Sequence, residues 1–118
     1  MEVGETLRVE SIEAWRSWLA KNHDDRSEIW LISDRKGPGR RTPEYEDLLD
    51  EAVCWGWVDV LVKGLDETRY YLRWVPRRRG GNWTASNRER ARRLAAQGRM
   101  TEAGLALLPA DLRDELKP

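Results

Sequence analysis

Phenylalanine is absent from the 118 residues, and cysteine and histidine occur once each, as Cys54 and His23. A lone cysteine closes no internal disulfide. With a single histidine beside it, the chain cannot make a zinc site from these two residues without carboxylates or a second chain, so a disulfide scaffold and a zinc finger are excluded. Net charge is absent too, because 21 basic residues balance 21 acidic ones. No apolar stretch approaches the roughly 18 residues that span a bilayer, and Met1 to Leu7 lacks the basic-then-apolar order of an export signal. The expected compartment is the cytoplasm, with no membrane insertion. Length is modest as well: the chain lies in the range of one domain with one core, which leaves no room for a separate cofactor module, and no cofactor is expected.

What is present is tryptophan and charge. Seven Trp residues must do much of the burying that Phe does elsewhere, and 36% of residues are charged. The neutral sum hides a split. Met1 to Val60 carries 14 acidic and 8 basic residues, net −6, and Leu61 to Pro118 carries 7 acidic and 13 basic, net +6. Leu61 to Met100 alone has 11 basic residues against 3 acidic. Such a segment invites an anionic partner, while the acidic half counts against extended duplex binding.

Periodicity divides the chain. Glu5 to Glu10 alternates like a short strand. Ser11 is an N-cap, with Ile12, Trp15, Trp18 and Leu19 on one face of a helix that fades near Asn22 and His23. Ile29 to Ile32 reads as a buried strand. A basic loop, Asp34-Arg35-Lys36-Gly37-Pro38-Gly39-Arg40-Arg41, leads to Thr42 as the cap of a second helix, with Pro43 at its first position. Tyr45, Leu48, Leu49, Ala52 and Val53 form its buried stripe, and Gly56 stops it as a left-handed cap. Trp57 to Val62 and Arg69 to Val75 read as a hairpin around Gly64-Leu65-Asp66-Glu67, with Tyr70, Leu72 and Trp74 on one face and Arg69, Tyr71 and Arg73 on the other. Pro76 ends the second strand. Thr84 opens a helix that Gly98 stops, Thr101 caps a shorter one, and Ala110 to Leu116 adds a turn. The expected fold is α+β: one domain over 1–118, with an α/β core over 1–83, a mainly antiparallel sheet of about four strands packed with helices, and C-terminal helices over 84–118.

Four ordered motifs stand out: Trp15-x-x-Trp18-Leu19; Asp47-x-x-x-Glu51-Ala52-Val53-Cys54-Trp55-Gly56-Trp57-Val58-Asp59; Arg73-Trp74-Val75-Pro76-Arg77-Arg78 with Asn82-Trp83-Thr84-x-x-Asn87; and Gly98-Arg99-Met100-Thr101-x-Ala103-Gly104-Leu105. Together they resemble the YdeI/OmpD-associated family, also called bacteriocin-protection proteins, over nearly the whole chain. The family pattern has Phe where this chain has Trp55 and Trp74, Thr where it has Val75, and Gly where it has Val60. Pro109-Ala110-Asp111-Leu112 looks like the opening of a further helical segment, as in a short or trimmed member. The resemblance implies a link to envelope proteins and to resistance against antibacterial peptides, and no established reaction.

Three places carry candidate chemistry. Arg77-Arg78-Arg79 beside Gly80-Gly81, ahead of the helix at Thr84, offers guanidinium forks and free amides to phosphate or carboxylate, with Arg73 and Lys63 extending the patch. The competing reading is a solvated surface in a chain whose Arg outnumber Lys by 17 to 4. Trp74, Trp83 and Tyr71 interleave with these arginines, as single-stranded nucleic-acid binding would need. In the second place, Cys54 sits at the negative end of its helix, which raises a thiol pKa and suits structure better than catalysis. Asp59 reads as an ion-pair partner for Arg69, Arg73 or Arg77. The third is the loop Lys36 to Arg41, a cradle in outline without the Gly-Lys-Ser/Thr of a phosphate loop, or else a plain connection. The leading expectation is a non-catalytic binding or stress-resistance protein. Its expected binding residues are Arg73, Arg77, Arg78, Trp83 and Asn87, with Asp59 and Trp57, and its partner is an anionic small molecule, peptide or protein. The alternatives are a single-stranded nucleic-acid binder and a small enzyme using Cys54 or Asp59.

Overall fold

The computed structural model describes residues 2–117. A short strand, β1 (Thr6–Leu7), leads into helix α1 (Ile12–Asn22), strand β2 (Ile29–Asp34) and helix α2 (Tyr45–Cys54). The hairpin β3 (Trp57–Gly64) and β4 (Arg69–Pro76) follows, then helices α3 (Ala85–Ala96), α4 (Glu102–Ala106) and α5 (Ala110–Glu115). The four strands form one sheet in the order β1-β2-β4-β3, with β1 parallel to β2 and the other pairs antiparallel. The fold is α+β, with helices at the C-terminal end.

Register builds the core. Ile29 faces Trp74 across β2 and β4, and Leu31 faces Leu72, which gathers four buried side chains on one face of the sheet. Onto it α1 brings Trp15 and Leu19, and α2 brings Leu48, Leu49, Ala52 and Val53. Indole rings replace the missing phenylalanines: Trp15 lies 5.6 Å from Trp74, and Trp18 meets Trp57 edge-on at 5.6 Å. Burying an indole strands its N–H unless an acceptor is near. Trp15 Nε1 donates to Leu48 O at 3.1 Å, and Trp57 Nε1 to His23 O at 3.3 Å. The other face of the sheet carries Trp30 and Tyr71, edge to face at 6.0 Å, and Arg73 paired to Glu28 at 2.6 Å.

The expected caps form at three helices: Ser11, Thr84 and Thr101 accept from Ala14, Asn87 and Gly104 amides. Gly56 and Gly98 end α2 and α3 at φ 78° and 71°, a conformation that costs other residues strain. Two readings are corrected. Thr42 does not cap α2: its hydroxyl accepts the Asp34 amide at 2.8 Å, and the helix begins two residues after Pro43 with Glu44 at the cap. The first strand is only two residues long, and just past it the Arg8 side chain makes a bidentate pair with Asp34 at 2.8 and 2.9 Å.

Candidate functional site, an arginine loop on tryptophan

The turn after β4 holds the cationic site. Arg77 N donates to Gly56 O at 2.7 Å, which continues the hairpin one step past Pro76, and Gly80 N donates to Leu107 O at 3.2 Å. Gly80 takes φ 65°, which lets the chain reverse there. These contacts bring the Arg77 guanidinium over the Trp83 ring, 4.0 Å from its centroid, a cation–π arrangement that strengthens as water is removed.

Arg77 is half-buried, and burial disfavours its charge. The carboxylate of Asp59 and the phenol of Tyr45 oppose that effect without reversing it, so its pKa is lowered. Among the described residues no carboxylate lies at ion-pair distance, and Arg77 Nε and the neighbouring Trp83 Nε1 are buried donors without an acceptor, as are Trp30 Nε1, Trp74 Nε1 and Arg90 Nε elsewhere in the fold. Arg78 and Arg79 are exposed, and among the described residues neither side chain has a partner.

The rest of the basic segment behaves differently. On α3, Arg90 pairs with Glu46 at 2.6 Å and Asp50 at 2.5 Å, Arg93 with Asp50 at 2.8 Å, Arg92 with Glu89 and Glu115, and Arg88 with Asp111. Arg99 reaches Glu51 and Arg69 reaches Asp66. Most arginines of residues 61–100 are paired in place, and Arg77, Arg78 and Arg79 are the arginines of that segment without an ion-pair partner among the described residues.

Several expected members of the site are elsewhere. Arg73 lies on the opposite face of the sheet, tied to Glu28, and leaves the patch. Asp59 is not an arginine's ion-pair partner: it accepts the Tyr45 hydroxyl at 3.0 and 3.1 Å. A register shift at Val60 follows it. Trp57 is a core side chain, and Lys63 lies far along β3 opposite Tyr71. Asn87 stays near, in the first turn of α3, with its amide N–H on the Thr84 hydroxyl. For base stacking the loop offers only Trp83, already covered by Arg77, since Trp74 is fully buried.

The two remaining candidates resolve structurally. Cys54 is buried, and burial pushes its thiol up to about 11, helped by Glu51 and opposed by Arg99. No group of three or more metal-ligating side chains occurs among the described residues. Arg35 to Arg40 border a cavity of about 490 Å³, yet the arginines of this loop are largely engaged. Arg35 donates to Asp66 O and covers Tyr70, Arg40 bonds the carbonyls of Thr42 and Pro43, and Arg41 pairs with Glu10. Sequence reasoning missed Tyr45, whose place on the α2 stripe hid its hydroxyl's role, and Glu51.

Among the described residues no helix is long and apolar enough to cross a membrane. No curated protein and no solved structure is significantly similar to the chain. A family model described as a domain of unknown function, DUF8412, matches residues 7–107. That stretch runs from β1 to just past α4 and includes the arginine loop, so the chain belongs to the DUF8412 family.

Proposed function

We propose that the protein is a non-catalytic anion-binding protein whose site is the Arg77–Trp83 loop, taking an acidic peptide, protein segment or small molecule. One observation carries this reading: Arg77 is desolvated beyond what the more distant Asp59 carboxylate offsets and has no ion-pair partner among the described residues, beside two exposed arginines that also lack one, in a chain that pairs most of its other arginines. A buried donor left unmet costs about 1–3 kcal/mol, and an anion seated on the loop recovers part of that cost. Stacking on Trp83 fixes the Arg77 fork in advance, which lowers the entropy lost on binding. The resemblance to YdeI/OmpD-associated proteins supports a role in stress or antibacterial-peptide resistance. A cationic peptide would be repelled by this loop, so the bound species is the anionic member of any such pathway.

Calorimetric titration with a hexaglutamate peptide and with inorganic pyrophosphate tests the proposal. Wild type is expected to bind at least one of them. Arg78→Ala with Arg79→Ala, two exposed positions, should keep the thermal midpoint and weaken binding roughly tenfold or more, the loss expected for two charge-assisted contacts. Undiminished binding by that variant removes the loop from the account.

A further inference from the structure

Two of the motifs noted in the sequence meet at a place the arginine loop does not touch. Glu51 and Trp55, at the end of α2, and Arg99 and Thr101, after α3, line a cavity of about 330 Å³ together with Arg16 of α1. Its size falls at the small end of ordinary ligand pockets. At the base is Glu51, a carboxylate only 3% exposed. Its Oε1 accepts Arg16 Nε at 3.2 Å, Arg16 Nη2 at 3.0 Å and Arg99 Nη2 at 3.4 Å, and its Oε2 accepts Trp55 Nε1 at 3.0 Å.

The frame behind these groups is fixed. Arg99 N closes the end of α3 on Leu94 O at 2.9 Å, and Thr101 binds Cys54 O through its amide at 3.0 Å and its hydroxyl at 2.6 Å. Two guanidiniums are therefore held by one buried carboxylate, which leaves a net positive charge in the lining. Among the described residues Arg16 Nη1 and Arg99 Nε have no protein acceptor, and Arg99 Nη1 has only a long contact to Gln97 at 3.5 Å. Glu51 is thereby a positioning residue, which sets the two forks without being available to a ligand itself.

We propose that Arg16 and Arg99, pinned by Glu51, form a second binding site that takes the carboxylate of a small organic acid, with its apolar body against the Trp55 ring. Charge selects the class. One surplus positive charge matches a monoanion, whereas a dianionic phosphate brought beside Glu51 adds repulsion that the two arginines do not offset. Aryl or alkyl carbon on Trp55 contributes the apolar contact that inorganic anions lack.

Two-dimensional 15N NMR titration of the full chain with benzoate, and separately with inorganic phosphate, tests the site. Benzoate should move the Trp55 indole N–H and the Arg16 and Arg99 Nε–H resonances saturably, with phosphate at least tenfold weaker. Arg16→Met, on the exposed side of α1, and Arg99→Gln should each raise the benzoate Kd roughly tenfold, the scale of one lost charge-assisted contact. Arg78→Ala with Arg79→Ala should leave it unchanged, which separates this site from the loop. Absence of a saturable shift at these three residues, preference for phosphate, or an unaltered Kd in both single-site variants overturns the assignment.

Discussion

Burial decides the chemistry of Cys54. With its pKa pushed up to about 11, the thiolate fraction near neutral pH is on the order of one in ten thousand, and the thiol is also shielded from reagents. The native protein at pH 7.5 is expected to give no measurable reaction with a chromogenic disulfide over an hour, and the urea-unfolded chain to react stoichiometrically. Native reactivity close to the unfolded rate would mean an open thiol. Close packing sets a second test nearby. A methyl group on Gly104 would lie 2.8 Å from the Cys54 carbonyl carbon and 3.0 Å from Val53 O. Backbone atoms cannot rotate aside, so Gly104→Ala is expected to cost about 1–3 kcal/mol, read from the urea midpoint. An unchanged midpoint would show that α4 shifts freely. At this scale the sequence was most legible where the signal is local. Ser11, Thr84, Thr101, Gly56 and Gly98 act where the caps and stops place them. Thr42 and Asp59 escaped because their partners, the Asp34 amide and the Tyr45 hydroxyl, lie on other elements.

Elements are joined here by charge as much as by apolar contact. Helix α3 buries only Ala91 and Leu94, and its docking to α2 runs through Asp50, which accepts Arg90 and Arg93. Burial raises the Asp50 carboxyl pKa, but the hydrogen bonds from Arg93 and Arg90 outweigh it and hold the group below the usual range. A depressed carboxylate stabilises the fold above its unfolded pKa, about 4, and that contribution fades as the pH falls through the lower folded value. Asp50→Asn is therefore expected to cost about 2 kcal/mol at pH 7, with the gap to wild type narrowing below about pH 4 in thermal melts. A pH-independent gap would assign the loss to packing. The helices and the hairpin were visible in periodicity, because burial on one face imposes it, although α2 starts at Tyr45 and not at Pro43. Which arginines pair was not, since α3 meets α2 only once both have packed. The same limit separated Arg73 from Arg77: β4 ends at Pro76, and only the folded turn carries Arg77 toward Asp59 and Trp83, leaving Arg73 with Glu28 on the other face.

At the scale of the molecule the charge split in the chain is largely undone by folding. The acidic N-terminal half and the basic C-terminal half meet along α2 and α3, and further pairs to α5 use up Arg88 and Arg92. A neutral protein with a small unpaired cationic loop results, which suits local recognition of an anion better than broad polyanion binding. The central claim is that this loop holds donors the fold leaves unmet. It is tested most directly by following the Trp83 indole N–H and the Arg77 Nε–H resonances while hexaglutamate is added to saturation. The account predicts that both move with the binding isotherm, well beyond the indole signals of Trp15 and Trp57 in the core. Saturable binding that leaves Trp83 and Arg77 unmoved would contradict it.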